Sequence, residues 1–553
     1  MYKNKFSFSM TNINKQTENV VSESDNLSEI IRILSKEVKQ EEDNLYRVLL
    51  CGLSAFTAEP LHMRIFAPTS EGKTYLLEKV SNVFPLENIL KLASASPTSF
   101  KYDNGKVMIE EEKEVFVPLD SKLKLFEEKL EKELKEETEK ESKEEKTENA
   151  TDKQKDKDRK QKIDVERKRL EREAVNLINL KNKWLIFLDD QNTALWDFFK
   201  PILSQDTKLI RHNTTNKQSG SNRLQKTIFK GKPSISYASA KDEAKTDITN
   251  EIDSRFQTIS LRSNPQKYKE SNELVTYQYG LPGQLYEELV VSKEEIEYAK
   301  SLVSSVIQSL KRYRKIDGPV FNPFLDEIHK QFPNNSGYRS RQLKRLLKTS
   351  NLFTLCNAIN RPKWELKGTK YVVTDLSDVQ HAVRLIIENT GIPSHKIQAY
   401  NEVIKPSILK HGKEMSVEGQ NLVVQTVAQI LEQYQEHRER TYSRQQLLET
   451  YLIPLVENGF LERTKDPTNK TRDIFWIPER YQQVDATTES TLIDTKTLDE
   501  SCVRSCLEKY IIRRYEKEEY QFYNTNDEII SVEELCKQVT RIDIALVKNS
   551  FKN

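Results

Sequence analysis

The sequence predicts an α/β fold with a parallel-sheet core, followed by a helical region and a small domain of helices and a hairpin. Three stretches indicate this architecture. Residues 64–80 have the pattern of a short apolar strand, a tight turn and a helix, and residues 184–190 form an apolar run that ends in two aspartates. Residues 459–477 have the pattern of a basic-tipped hairpin that follows two predicted helices. At 553 residues, the chain has room for several domains of roughly 100–200 residues each.

The turn at residues 67–74 fits the phosphate-binding pattern A/G-x-x-x-x-G-K-[ST], with an apolar strand before it and an apolar helix face after it. Gly72 lets the backbone approach phosphates, and the N-terminus of the helix attracts them. The Lys73 ammonium would reach the β- and γ-phosphates of ATP, and the Thr74 hydroxyl would bind Mg²⁺. The other loop residues around the phosphates would be Ala67, Pro68, Thr69, Ser70 and Glu71. The alternative is an ordinary strand–turn–helix in which Lys73 is a surface lysine.

The run Trp184–Leu188 predicts a buried parallel strand that delivers Asp189 and Asp190 to the carboxyl edge of the sheet. This is the Walker B pattern, in which Asp189 would hold Mg²⁺ through water. Asp190 occupies the position that is usually Glu, the residue that orients the attacking water. Its shorter side chain puts efficient hydrolysis in doubt. The alternative is a buried strand followed by two coincidental aspartates.

Residues 118–180 form a charged insertion within the predicted nucleotide domain. From Lys135 to Lys162 the only apolar residue is Ala150, so this part can form no core of its own. The first half is mainly acidic and the second mainly basic. We expect two helices that fold back as an antiparallel, charge-paired arm, turning near residues 149–151 and offering a surface for a protein partner. A solvated linker would explain the same composition.

Further polar features follow the aspartates in the chain. Residues 207–217 and 227–229 predict the strands of a hairpin with a polar tip. Residues 233–240 predict a strand at whose end Ser239 or a neighbour could contact the γ-phosphate or its water. A helix end and another strand are predicted at 250–261, where the triplet Ser254-Arg255-Phe256 stands.

In this order, the motifs resemble those of AAA+ P-loop ATPases of helicase type. The Ser-Arg-Phe triplet is similar to that of the minichromosome maintenance helicases, and the chain also resembles replication ATPases of plasmids and viruses that carry a C-terminal winged helix. The resemblance implies that Arg255 is a finger reaching the γ-phosphate of a neighbouring subunit; the alternative is a helix-capping or ion-paired arginine. It also implies DNA contacts from the hairpin, with Lys217 as the best match and Arg211, Arg223 and Lys226 nearby. The sequence departs from the family at Ala67, at Asp190 and in the charged insertion.

The C-terminal part predicts a helical region at 285–395 and a winged helix at 410–480. In the first, Arg339 or Arg341 could sense nucleotide, although charges on a solvated face explain the same pattern. In the second, we expect helices at 417–437 and 443–458 and then the hairpin, so that the second helix enters the major groove and the wing meets phosphates. The candidate DNA contacts are Arg444, Gln445, Arg463, Lys465, Lys470 and Arg472. Winged helices also dock proteins, so this domain leaves both uses open. The tail at 495–553 is expected to be helical.

Composition bounds the remaining choices. Lys and Arg total 87 against 85 Asp and Glu, so any nucleic-acid surface must be a patch rather than the whole chain. No apolar run is long enough for a membrane span, and the polar residues 1–26 predict a disordered tail rather than a secretory signal. The five scattered cysteines, including the i, i+4 pair Cys502 and Cys506, fit a reduced, cytoplasmic protein.

These observations favour an oligomeric, ATP-driven helicase or translocase that acts on DNA. We expect it to form a ring, with a hexamer as the preferred size, and to act in replication, such as that of a mobile element. The ATPase domain would span residues 27–270. The second hypothesis is an AAA+ replication initiator or transcription regulator that uses ATP as an assembly switch. A third, a small-molecule kinase, is disfavoured by the C-terminal domains and the arginine triplet.

Overall fold

The α/β class is confirmed. The structure is a computed structural model, and it describes residues 25–67, 69–112, 114–141, 151–204, 209–216, 223–239, 255–261, 265–332, 337–387, 394–417, 420–437, 442–457, 460–478, 482 and 493–541. The chain divides into two compact units. The first comprises Met1–Lys91, Trp184–Asp190 and Ser234–Asn553, and the second comprises Leu92–Lys183 and Gln191–Pro233.

The strands, in chain order, are β1 (His62–Phe66), β2 (Ile89–Leu92), β3 (Gly105–Glu112), β4 (Val115–Pro118), β5 (Val175–Asn179), β6 (Trp184–Phe187), β7 (Leu209–Asn216), β8 (Arg223–Lys230), β9 (Ser234–Ser239), β10 (Gln257–Ser260), β11 (Val320–Phe321), β12 (Lys363–Leu366), β13 (Thr369–Val373), β14 (Lys413–Val417), β15 (Gln420–Thr426), β16 (Glu462–Asp466), β17 (Asn469–Trp476), β18 (Tyr520–Tyr523) and β19 (Ile529–Ile530).

The α-helices, in chain order, are α1 (Asn26–Leu34), α2 (Glu42–Ser54), α3 (Lys73–Ser81), α4 (Pro97–Asn104), α5 (Leu119–Glu141), α6 (Thr151–Glu173), α7 (Thr193–Ser204), α8 (Pro265–Gly280), α9 (Gly283–Leu289), α10 (Lys293–Tyr313), α11 (Leu325–Gln331), α12 (Gly337–Cys356), α13 (Leu376–Ile387), α14 (Ser394–Ala399), α15 (Lys405–His411), α16 (Val427–His437), α17 (Arg444–Leu447), α18 (Ile453–Glu457), α19 (Glu500–Leu507) and α20 (Val532–Val539). Single π-helical turns join α14 to α15 and α17 to α18, and another extends α19.

The central sheet of the first unit has the order β10-β1-β9-β6-β2. β1 pairs in parallel with β9 and β10, and β6 pairs in parallel with β9. On one face the sheet packs against α2, where a β-carbon on Gly52 would come within 2.7 Å of Phe84 and 2.8 Å of Trp184. The sequence therefore needs a glycine here so that α2 can approach the aromatic side chains. The parallel order brings the carboxyl ends of β1, β9 and β6 to one edge.

The second sheet of the first unit has the order β11-β13-β12-β18-β19, and it corrects two expectations. The region 285–395 is not purely helical, because it contributes β11, β12 and β13. The tail 495–553 is not purely helical either, since β18 adds to β12 in antiparallel register. The tight turn between β12 and β13 has positive φ at both Lys367 and Gly368, which is the backbone of a two-residue hairpin. The Lys367-Gly368 turn is therefore the sequence feature that indicates the β12–β13 hairpin.

A third sheet, β14-β15-β17-β16, belongs to the predicted winged-helix region and rests on its own buried core. The expected helix at 417–437 is wrong in its first half. Residues 420–426 form β15, which pairs with β14 and β17, and the helix begins only at Val427. The expected second helix begins after its capping residue, Ser443. The Ser443 hydroxyl accepts a hydrogen bond from the backbone N–H of Gln446, and the Gln446 side chain accepts one from the backbone N–H of Ser443.

The second unit contains the sheet β4-β3-β5-β8-β7 and the charged arm. α5 and α6 run antiparallel as expected, because Leu123 and Leu170 share a small core with Ile109 while Glu131 pairs with Arg159 farther along. Of the predicted turn at 149–151, residues 149 and 150 lie outside the described residues, and Thr151 begins α6. The last residues of the expected insertion 118–180 form β5 rather than part of a helical arm, and the predicted hairpin β7–β8 joins the same sheet. The compact unit is thus larger than residues 118–180.

Candidate functional site

The loop between β1 and α3 contains two residues with left-handed backbone conformation. Gly72 is the N-cap of α3 with φ of 90°, and Ser70 has φ of 71°. A β-carbon on Gly72 would meet no atom within 4 Å, so the left-handed φ, rather than lack of space, selects glycine. Ser70 holds a φ that serine seldom adopts, which is typical of loops built for binding. Thr69, Ser70 and Thr74 are exposed, and Pro68 lies outside the described residues.

Lys73 lies inside this loop and not on an open surface. Its Nζ donates to the carbonyl oxygen of Ala67 at 2.6 Å, across the loop. Burial lowers the pKa of Lys73, and the negative charges of Asp190, Asp189 and Glu71 oppose that shift. The ammonium is therefore within electrostatic reach of both predicted aspartates. A phosphate oxygen in the loop would compete with the Ala67 carbonyl for it.

The carboxyl edge of the sheet collects the other predicted groups. Asp189 and Asp190 come just after β6, and the backbone N–H of Asp190 donates to Asp189 Oδ1 at 2.8 Å. Ser239 ends β9, the strand between β1 and β6, and its carbonyl accepts from the backbone of Ala67 at 3.3 Å. A polar residue at this place has the loop on one side and the aspartates on the other.

Sequence reasoning missed Arg64, which lies in the middle of β1 and is fully buried. Its Nη2 is 3.4 Å from Ser239 Oγ, and its guanidinium lies over the rings of Phe66 and Tyr237 at 5.6 and 5.9 Å. The signal was available, because an arginine between Met63 and Ile65 in a strand predicted to be buried needs compensating contacts. Ser239 is fully buried as well, so its side chain contacts Arg64 in the interior of the sheet.

Arg255 lies at the opposite edge of the same sheet. It precedes β10, which is parallel to β1, so it stands near the amino ends of these strands. The pKa of the buried His62, the first residue of β1, is lowered to about 3, chiefly by burial and further by the charges of Lys348, Arg345 and Arg255. Arg345 also donates to the carbonyl oxygen of Phe256 at 2.8 Å. At about 3.3 Å per residue, a five-residue strand separates the two edges by roughly 15 Å, so Arg255 does not join Lys73.

The residues proposed for Mg²⁺ are Thr74, in the first turn of α3, and Asp189, and both are exposed. Within the described part of the chain, no group of three or more His, Cys, Asp or Glu side chains could hold a metal ion. Mg²⁺ beside a nucleotide is commonly held by one or two protein side chains together with phosphates and water. A hydroxyl and a carboxylate at one sheet edge fit that donor set.

The predicted DNA contacts of the second unit differ in their surroundings. Lys226 is exposed on β8, whereas both terminal nitrogens of Arg211 bind Glu110, at 2.8 and 2.6 Å. Lys217 lies outside the described residues, as does the side chain of Arg223. Lys226 is thus an exposed cation of this hairpin, and its charge helps to lower the pKa of Glu110, for which Arg211 is the main cause.

The predicted contacts of the third sheet and its helices are all exposed. Arg444 and Gln445 open the helical segment capped by Ser443, and Gln445 donates to Glu449. On the hairpin β16–β17, Lys465 pairs with Asp473 at 2.9 Å. The other exposed cations of this hairpin are Arg463, Lys470 and Arg472. Arg341, proposed as a nucleotide sensor, is exposed on α12, and the side chain of Arg339 is outside the description.

No protein-family model matches this chain, and no curated protein matches its sequence. Among the described residues, no helix has both the length and the apolar character needed to cross a membrane. The five cysteines are free thiols, and all but Cys502 are buried.

Proposed function

We propose that this protein is an ATP-hydrolysing motor of the AAA+ type that acts on DNA as a helicase or translocase. The observation that carries the proposal is the common sheet edge of Lys73, Asp189 and Ser239. Lys73 lies within the loop, and its charge interacts with that of Asp189. The strand that ends in Ser239 separates the strands that lead to the other two. If Lys73 were an ordinary surface lysine and the aspartates were coincidental, nothing would require these residues to lie at the same edge of the sheet.

The residues would divide the work as follows. Backbone N–H groups of the loop and the N-terminus of α3 would cradle the phosphates. The Lys73 ammonium would exchange the Ala67 carbonyl for a phosphate oxygen. Thr74 and Asp189 would hold Mg²⁺, whose bound charge neutralises the phosphates. Asp190 would orient a water molecule, and Ser239, supported by Arg64, would face the γ-phosphate side of the site.

Arg255 supports an oligomeric enzyme. An arginine side chain cannot span the roughly 15 Å between the two edges of the sheet. If Arg255 acts on a phosphate, that phosphate must belong to a site on another copy of the chain. A ring in which the amino edge of one subunit faces the loop of the next would satisfy this requirement, and a hexamer is our preferred size.

DNA is the proposed track because exposed cations recur on two hairpins. The order α14–α15, β14, β15, α16, α17–α18, β16 and β17 supports a winged helix to which β14 adds an edge strand. In it, α17–α18 would be the helix for the major groove and the β16–β17 hairpin the wing. Lys470 and Arg472 are exposed on the wing. The hairpin β7–β8 offers Lys226. Replication, such as that of a mobile element, is the setting that the resemblance favours.

The test is ATP hydrolysis by the full chain with and without single-stranded and double-stranded DNA, beside a mass measurement with a non-hydrolysable ATP analogue. We expect turnover that single-stranded DNA stimulates, and an assembly that the analogue stabilises. A monomer whose hydrolysis DNA never stimulates would contradict the motor.

One observation favours a second candidate, an initiator or transcription regulator that uses ATP as an assembly switch. Asp190 is one methylene shorter than the glutamate usual at its position, which would slow hydrolysis. Tight, sequence-specific binding to duplex DNA with feeble turnover would support this candidate, whereas strand displacement would support the motor.

A further inference from the structure

The phosphate-binding loop contains a carboxylate, Glu71, directly before Gly72. A negative side chain at this place would oppose a polyphosphate, and its charge already acts on Lys73. Released from its present position, the carboxylate could pair with the Lys73 ammonium and occupy it. How the protein places Glu71 therefore bears on whether the loop can accept an anion.

Helix α8 holds the Glu71 side chain. Tyr268 Oη donates to Glu71 Oε1 at 2.7 Å. The second carboxylate oxygen, Oε2, is buried and has no hydrogen-bond partner among the described residues. The phenol is thus the described donor that fixes the carboxylate, and Tyr268 itself stays partly exposed at the protein surface.

The same helix also contacts the loop backbone. Lys267 Nζ lies 3.4 Å from the carbonyl oxygen of Glu71 and 2.8 Å from Glu41 Oε1. Lys267 and Glu41 are both buried, so the ion pair is well shielded from water. Asn44 ties Glu41 to the end of β10 by donating to the carbonyl of Ser260 at 2.9 Å. The loop is therefore anchored to α8 at its backbone and at its one acidic side chain.

We propose that Tyr268 is a positioning residue that holds the Glu71 carboxylate away from Lys73, so that the loop can receive the phosphates of ATP. The inference rests on the proposed function for its ligand, but the hold of Tyr268 on the loop is a property of the protein alone. Lys267 contacts the loop backbone, and Tyr268 holds the Glu71 carboxylate in place through its hydrogen bond. Through them, any movement of α8 would change the affinity of the loop for phosphate.

The test uses Tyr268→Phe, Glu71→Gln and the double variant in the full chain, with Tyr279→Phe as the matched control, since Tyr279 is exposed on the same helix. We expect Tyr268→Phe to raise the Kd for ATP about tenfold, and the Kd for ADP less, because the freed carboxylate repels the terminal phosphate. Removing the charge in the double variant should restore ATP affinity to within about twofold of Glu71→Gln alone. A merely structural role for Tyr268 predicts no such rescue, and an unrescued loss would overturn the proposal.

A second measurement separates this inference from the proposed function. Amide hydrogen exchange without nucleotide should quicken at residues 69–73 in Tyr268→Phe and not in Tyr279→Phe. Unchanged exchange overturns the hold of α8 on the loop, whatever the ligand. If wild type and Lys73→Ala bind ATP equally, the proposed function fails, and faster exchange in Tyr268→Phe would still support the positioning of Glu71.

Discussion

The two edges of the parallel sheet differ in how far their polar side chains are exposed to water. At the carboxyl edge, Asp189 and Thr74 are exposed and Lys73 is half-buried, so the groups can meet a solvated ligand. At the amino edge, His62 is buried deeply enough that its pKa falls to about 3, and cations surround it. The polar groups of the carboxyl edge are thus accessible from water, whereas the amino edge contains a buried neutral imidazole on which three cations act.

This difference teaches how a single chain can carry two halves of one proposed site. The cations of the amino edge, Arg255 among them, lie too far from Lys73 to act at the proposed nucleotide site of their own subunit. At the carboxyl edge, Lys73 is the cation that we propose to contact phosphate, since Arg64 is fully buried and contacts Ser239 instead. If the comparison is right, loss of Lys73 and loss of Arg255 should have different signatures and should complement each other.

The largest effect is expected from Lys73→Ala. The substitution removes the ammonium from the loop, and we expect ATP hydrolysis to fall by about 10³-fold because the phosphate charge loses its closest protein cation. Turnover of ATP by the purified chain measures this. Lys91→Ala is the control, since Lys91 is an exposed lysine on β2 of the same sheet. Equal hydrolysis by Lys73→Ala and wild type would contradict the proposal that the carboxyl edge is the nucleotide site.

The next effect tests the other edge. Arg255→Ala should lower turnover by about 10²-fold while the Kd for ATP stays within about twofold, because the arginine would act on another subunit during hydrolysis. Mixing Arg255→Ala with Lys73→Ala should restore part of the activity, since each variant supplies what the other lacks. Arg513→Ala, at an exposed arginine, should leave turnover unchanged. A mixture as inactive as its components would contradict the shared site.

The two edges also differ in how far the sequence could predict them. Loop 67–74 and strand 184–188 are each a continuous stretch of sequence, so both could be predicted from local patterns. The parallel order of the sheet then brings their ends to one edge. The amino edge combines His62, Phe256 and Arg345, which are distant in sequence and meet through tertiary packing. No local pattern gives such a cluster.

The same reasoning explains the errors in the fold. The hairpin β12–β13 was overlooked because its alternating residues stand between long helical stripes, although the Lys367-Gly368 turn marks it. Strand β15 was predicted as the start of a helix because its apolar residues, such as Leu422 and Val424, are followed directly by the apolar residues of α16. Short apolar runs fit either period, and pairing with β17 decided between them. The contact of Tyr268 with Glu71 was equally invisible, since it joins residues of two separate elements.

The third effect tests the desolvation of the amino edge. His62 is neutral in the folded protein down to about pH 3, whereas in the unfolded chain it binds a proton below about pH 6.5. The unfolded state therefore gains protons first, and the unfolding free energy should fall as pH drops from 6.5 towards 3. Between pH 7 and pH 5 this costs about 2 kcal/mol. The difference between wild type and His62→Gln in chemical denaturation at the two pH values isolates the contribution, with the exposed His329→Gln as control. Parallel pH dependences would mean that the edge is hydrated.

The smallest effect returns to the carboxyl edge and to the residue that divides the two proposed functions. Asp190→Asn removes the carboxylate that would orient water, and turnover should fall about tenfold with ATP binding retained. Asp190→Glu lengthens the side chain by one methylene towards the usual geometry, and we expect turnover to rise a few-fold. The measurement is steady-state hydrolysis at saturating ATP, beside nucleotide binding. A rise in Asp190→Glu would indicate that the chain is tuned for slow turnover, as a switch requires. A fall below wild type would mean that the surrounding loop is built for the shorter acid, which favours a motor that already works at its own rate.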